Sequence, residues 1–264
     1  MRFTKMHGLG NDYIYVFGMP DAVNTLAVKL SDRHFGIGAD GIIVIDLSDA
    51  ADFSMRIFNA DGSEAKMCGN GIRCVGKYVY DKGYTDKTKL TIDTLSGVRK
   101  LSLEVENGKV SSVQVDMGQT RVGEREALKL ADRCIDVYPV SVGNPHCVTF
   151  VPDVMSVPLD TLGVQVEKHP RFPDGVNAEF VQVIDEHTLR MRVWERGSGI
   201  TMACGTGATA CAAAAVKAGY CTANTPVTVI LDGGELHITV TSDGSAQMSG
   251  PATTVFEGET TDNI

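Results

Sequence analysis

Two stretches of this chain carry apolar residues around most of a helical circumference. Asn70 to Lys82 and Thr206 to Ala218 contain no proline and stop at Gly83 and Gly219, a residue type suited to the left-handed end of a helix. They predict two buried helices. Elsewhere the period falls to two. Runs such as IIVI (42–45), KLTIDT (89–94) and SLEV (102–105) alternate or are rich in β-branched residues, and Asn107-Gly108 and Asp232-Gly233 are hairpin-turn pairs. The pattern predicts an α+β fold in which each half is a mainly antiparallel β-sheet wrapped around one central α-helix.

The pattern is also written twice. Met55-Arg56-Ile57-Phe58 recurs as Met191-Arg192-Val193-Trp194, Cys68-Gly69-x-Gly71 as Cys204-Gly205-x-Gly207, and Gly83-Tyr84 as Gly219-Tyr220, all at one offset. With small shifts, Gly10-Asn11 before YIYV answers Gly143-Asn144 before CVTFV, and GADGIIVI (38–45) resembles GVNAEFVQVI (175–184). Motifs repeated in one order point to two homologous domains. Their boundary is expected near Gly118 to Val122, giving halves of 1–119 and 120–250.

Length and charge narrow the setting. A chain of 264 residues is long enough for two modest domains with proper cores. The formal charge of -9 is spread along the chain with no basic cluster, so nucleic acid is not an expected partner. No apolar run approaches the roughly 20 residues needed to span a bilayer. Met1 to Gly10 lacks a secretory signal's apolar core, so the expected location is cytoplasmic, with no membrane partner. The seven cysteines are an odd number in a chain too large to need staples, and reduced thiols are expected.

Two of those cysteines stand apart. Cys68 in MCGNG and Cys204 in ACGTG each immediately precede a predicted helix. Unpaired N–H groups and the positive end of the helix dipole favour anions there, which predicts a lowered thiol pKa. The same N–H groups suit a substrate carboxylate, and the neighbouring glycines remove side chains that would block its approach. If the halves faced each other, one α-carbon would lie between two thiols, the geometry of a stereo-inversion. Cys74, Cys134, Cys147, Cys211 and Cys221 read instead as small buried hydrophobes. No CxxC pair or adjacent histidine supports a metal, and no Rossmann fingerprint or P-loop occurs. Asn11 and Asn144 read equally as turn residues, and His146 as a satisfied, half-buried histidine. Glu195 and Arg196 read as a surface ion pair, except that they stand where the first half has Asn59 and Ala60. That asymmetry suggests one asymmetric ligand.

At these residues the sequence resembles the diaminopimelate epimerases over essentially its whole length. The matching segments are KMHGLGND (5–12), FNADGSEAKMCGNGIRC (58–74), GNPH (143–146) and WERGSGITMACGTGA (194–208). The resemblance implies interconversion of L,L- and meso-diaminopimelate in lysine and peptidoglycan-precursor synthesis, with no metal or other cofactor. It implies that Cys68 and Cys204 are the acid–base pair, with His146 and Glu195 supporting proton transfer and holding the substrate amine. The helix starts at Gly69-Asn70 and Gly205-Thr206 would hold the reacting carboxylate. Asn11, Asn59, Asn144, Asn177 and Arg196 would recognise the rest of the amino-acid substrate. It further implies two domains related by a pseudo-twofold, a last strand (about 251–264) returning to the first domain, and a homodimer. The chain departs from the family at Ala39-Asp40-Gly41, where some members carry a substrate-contacting glutamine, and at Thr206, where many carry serine.

Two other readings fit the same cysteines. One is a related racemase acting on histidine, proline or hydroxyproline, although proline-type enzymes carry histidine where this chain has Asn70. The other is a thiol switch in which Cys68 and Cys204 form a disulfide on oxidation.

Overall fold

Ten successive elements occur twice, in one order, along the chain. In the computed structural model, which describes residues 1–261, the first series is β1 (Arg2–Gly8), β2 (Asn11–Phe17), α1 (Val23–Ser31), β3 (Gly41–Asp46), β4 (Phe53–Asn59), β5 (Glu64–Ala65), α2 (Gly69–Asp81), β6 (Lys89–Asp93), β7 (Arg99–Glu106) and β8 (Lys109–Gln119). Two short strands follow, β9 (Arg121–Val122) and β10 (Glu126–Lys129). The second series is β11 (Cys134–Ser141), β12 (Pro145–Phe150), α3 (Leu159–Glu167), β13 (Asn177–Asp185), β14 (Thr188–Glu195), β15 (Gly199–Ile200), α4 (Gly205–Ala218), β16 (Pro226–Leu231), β17 (Gly234–Val240) and β18 (Ser245–Gly250). The chain then forms β19 (Thr253–Glu259).

Strand pairing repeats with the elements. In the first series β1–β2, β3–β4, β4–β5, β6–β7 and β7–β8 are antiparallel, while β2–β3 and β4–β6 are parallel. The seven corresponding pairs of the second series have the same directions. The chain divides into two compact units, one comprising Met1–Val115 and the chain from Gly250 onward, the other Asp116–Ser249. In the first unit β19 lies antiparallel on β1, and Phe256 meets Phe3 edge-on at 5.9 Å. Residues 262–264, the end of the expected returning strand, lie outside the described residues.

Each sheet is wrapped round a helix because that helix is narrow. In α4 every residue from Gly207 to Ala215 is buried, and these are glycine, alanine, threonine and cysteine only. It touches β9, β11, β12, β13, β14, β16 and β17. In α2 the close approach is made at Gly76, where a Cβ would stand 2.9 Å from Leu101 and 3.0 Å from Leu103. Both helices end as predicted in left-handed glycines, Gly83 at φ 76° and Gly219 at φ 79°.

The structure differs from the sequence reading in three places. Each unit holds two helices rather than one, since α1 and α3 were not predicted. Neither has a side-chain N-cap, their cap positions being Ala22 and Pro158, and α3 carries Gly163 in its middle, so the usual start signals are missing. Cys134 is exposed at the start of β11 rather than buried, whereas Cys74, Cys147, Cys211 and Cys221 are in the interior. The unit boundary falls between Val115 and Asp116, upstream of Gly118.

Candidate active site

Cys68 and Cys204 are the N-cap residues of α2 and α4. Both have extended backbone, at φ -136° and -124°. Each sulfur takes the place of the usual capping oxygen, accepting the N–H of Gly71 or Gly207 at 3.3 Å. Glycine is required at the second of these positions. A Cβ on Gly207 would stand 2.8 Å from Glu179 Oε1 and 3.1 Å from the Cys204 sulfur.

In the first unit the sulfur is met by an amide whose orientation is fixed from behind. Asn11, which opens β2, donates its Nδ2 to Asp40 Oδ2 at 2.8 Å. Its Oδ1 therefore faces the Cys68 thiol at 3.3 Å and Asn70 Nδ2 at 3.4 Å. Asp40 also accepts the Asp12 N–H and a guanidinium N–H of Arg33. Burial alone would raise the Asp12 carboxyl, but Arg33 and Lys5 outweigh it and hold Asp12 below the ordinary aspartate range. Asn70 is buried at the start of α2, and its Oδ1 accepts from Arg73, which also donates to Gly69 O and Pro251 O. Asn59 ends β4, beside Gly41 in register, and donates to Ser63 at 3.1 Å. The turn it opens is held by α1, where Asn24 donates to Gly62 O at 2.8 Å. No side chain fits at position 41 on this backbone, because its Cβ would lie 2.2 Å from Phe58 O.

The second unit builds a longer chain of contacts. His146 Nδ1 lies 2.6 Å from Glu179 Oε1, and both side chains are fully buried. His146 Nε2 lies 3.1 Å from Asn144 Oδ1, Asn144 Nδ2 is 3.4 Å from Thr206 Oγ1, and that hydroxyl is 3.6 Å from the Cys204 sulfur. Alongside, Asn177 Oδ1 accepts the Arg196 backbone N–H at 2.8 Å, and the Arg196 guanidinium donates to Asp174 O at 2.9 Å. Glu195 accepts from the Thr201 hydroxyl at 2.5 Å. The turn carrying Glu195 and Arg196 is clasped by α3, whose Glu167 accepts Trp194 Nε1–H at 2.7 Å and the Gly197 N–H at 3.0 Å. The two unpredicted helices thus do matching jobs, each fixing the turn after a central strand.

The electrostatics correct one expectation. The Cys204 thiol is pushed well above its ordinary pKa, first by burial and then by the carboxylates of Glu195 and Glu179. Hydrogen bonds from Thr206 and Gly207 pull the other way and do not prevail. A helix start lowers a thiol pKa, but burial and nearby acids act against it, and Cys204 is 5% exposed beside Glu195 and Glu179. Without ligand it is a thiol. The Glu179 carboxyl is also raised, chiefly by burial and against the pull of His146. Glu179 and Asp40 were not among the expected site residues. The signal for Glu179 was present, as an acid within the apolar strand run AEFVQV. No group of three or more metal-ligating side chains occurs among the described residues.

The profile of one protein family, diaminopimelate epimerase, matches residues 3–122 and 138–255. The chain is 50% identical to a diaminopimelate epimerase of Methanococcus maripaludis, over 98% of this chain and 99% of the other. It is 54% identical to a diaminopimelate epimerase of Bacteroides thetaiotaomicron, over 98% and 97%. Among solved structures, a phenazine biosynthesis protein of the PhzF family from Bacillus anthracis superposes with a TM-score of 0.76 at 15% identity, covering 99% of each chain. This last likeness is one of fold.

Proposed function

We infer the reaction from one premise: the chain belongs to the diaminopimelate epimerase family. It is an isomerase that interconverts L,L- and meso-diaminopimelate, a step toward lysine. The observation that carries this reading is near-complete alignment, at about half identity, with enzymes named for that reaction.

The mechanism proposed for it uses the two thiol-capped helices. Inversion requires that one base remove the α-proton and that an acid return a proton on the opposite face. Cys68 and Cys204 are suited to be that pair, one taking the proton as a thiolate while the other returns one as a thiol, the state Cys204 holds without ligand. In the reverse direction the roles exchange, so no proton is gained or lost overall. The N–H groups at Gly69-Asn70 and Gly205-Thr206 are suited to hold the α-carboxylate and stabilise the charge that develops on it. Glu195 is suited to the substrate amine, His146, buried with both ring nitrogens bonded, to supporting proton transfer through its neighbours, and Asn11, Asn59, Asn144, Asn177 and Arg196 to the distal amine and carboxylate, Arg196 because its planar fork matches a carboxylate. The family's habit supports a homodimer in the cytoplasm, and no described helix is long and apolar enough to cross a membrane.

The test is solvent deuterium uptake at the α-carbon of L,L-diaminopimelate with purified protein and the Cys68→Ala and Cys204→Ala variants. The wild type is expected to exchange and epimerise, and each variant to lose epimerisation by at least roughly 10²-fold. Exchange of another amino acid but not of this one would keep the mechanism and overturn the substrate.

A further inference from the structure

Glu179 has no counterpart in the first unit. Ile14 in β2 pairs with Ile42 in β3, and Cys147 in β12 pairs with Ala178 in β13, so position 179 answers position 43, an isoleucine whose Cδ1 stands against Gly71 as Glu179 Oε1 stands against Gly207. In the second unit the place is taken by a carboxylate with 0% exposure, set against the start of α4. A lone buried carboxylate is costly, and only Oε1 has a hydrogen-bond partner at ordinary geometry, His146.

The hydrogen bonds from this pair have a determined direction. Asn144 Nδ2 points to Thr206, so Asn144 Oδ1 faces His146 Nε2 and can only accept; Nε2 therefore carries a proton. The other ring nitrogen, 2.6 Å from Glu179 Oε1, then shares one further proton with the carboxylate, and the pair as a whole is neutral. Thr206 Oγ1 accepts from Asn144, which leaves its own hydrogen for the Cys204 sulfur at 3.6 Å. We propose that Glu179 is a positioning residue: by sharing a proton with His146 it fixes the direction of the chain Glu179–His146–Asn144–Thr206, whose last donor is the Thr206 hydroxyl on Cys204. This rests on the reading of Cys204 as a proton-transferring group.

The arrangement resolves an apparent conflict. A charged Glu179 opposes the thiolate, but a Glu179 that shares the imidazole proton contributes little net charge while supplying, through three residues, a donor that the thiolate needs. The other groups facing the pair are Cys147 from β12, Glu195 from β14, and Cys204 and Cys211 from α4. Of these, Glu195 is the one carboxylate, and its charge favours retention of the shared proton.

The test combines a spectrum with a double-mutant cycle. Proton NMR of the wild type is expected to show a far-downfield resonance from the Glu179–His146 proton, absent in the isosteric Glu179→Gln variant and in His146→Gln. Glu179→Gln and Thr206→Val are each expected to lower kcat roughly tenfold, with the double variant no slower than the worse single one, because both cut the same chain. Absence of the resonance from folded wild type, or effects that multiply in the double variant, would overturn the proposal. If Cys204→Ala still epimerises, the reading of Cys204 itself fails; if that variant is inactive while the cycle is multiplicative, only the role of Glu179 fails.

Discussion

The orientation of one amide decides what Cys68 meets. Because Asn11 Nδ2 is bound by Asp40, its carbonyl end is committed to the thiol. Asp40→Ala removes that anchor and frees the amide to turn. The expected outcome is a fall in kcat of roughly tenfold with an unchanged melting temperature, read by steady-state kinetics beside thermal unfolding. At Cys204 the controlling groups are acids. Glu195→Gln removes a charge that raises this thiol, so its ionisation, followed by thiolate absorbance in the ultraviolet, is expected at lower pH than in the wild type. The two cysteines stood out in the sequence because each lies in a repeated Cys-Gly-x-Gly motif with its own chemistry, whereas Asn11, Asn59, Asn144, Asn177 and Arg196 were singled out by the resemblance. Asp40 and Glu179 were not, because their work is done on another side chain, and a sequence does not display which side chains meet. The sign of the Cys204 shift was misread for the same reason: the helix start is local in sequence, while Glu179 and Glu195 arrive from other strands.

Among the elements, α2 and α4 could be predicted because small and apolar residues fill most of their circumference and glycine stops them. Helices α1 and α3 lack caps and gain their stability by packing, α3 against Trp194, where a Cβ on Gly163 would come within 2.5 Å of the Trp194 Cβ. Cutting the clasp from α3 tests its purpose. Glu167→Ala frees the indole N–H and the Gly197 N–H, and is expected to raise KM for diaminopimelate by roughly tenfold through the loosened Glu195–Arg196 turn, measured as a KM against kcat split. A second clasp ties the start of β4 to β6. Asp52 accepts from Lys87 at 2.6 Å and from the Thr91 N–H and hydroxyl at 2.8 Å, and these hold its carboxyl at about 2. A depressed carboxyl stabilises the fold above its unfolded value and loses that contribution as pH falls through the folded one. Water screens the exposed Lys87, so Asp52→Asn is expected to cost about 1 kcal/mol near neutral pH. The difference from wild type should vanish as pH falls from the ordinary aspartate value toward about 2, as urea unfolding at several pH values would show.

For the molecule as a whole, the repeat was visible in the sequence, since five motifs recur in order, whereas the path that closes the first unit was expected only from the resemblance. That closure pairs Arg2 with Glu259, sets Gly258 against the Phe3 ring, and bonds the amino terminus to Thr260 O and Oγ1 at 3.2 and 3.1 Å. A chain ended at Gly250 would leave β1 an open edge over an uncovered Phe3. Hydrogen exchange of such a truncated chain is expected to find the amides of β1 to β4 unprotected and those of β12 to β14 still protected. The same closure orders events during synthesis. A ribosome releases β1 long before β19, so the amino-terminal unit must wait, unfinished, while the carboxy-terminal unit receives all its strands before it. The usual order, in which domains mature from the amino terminus onward, is inverted for this chain, and its earliest-made residues are those that stay longest in need of a chaperone.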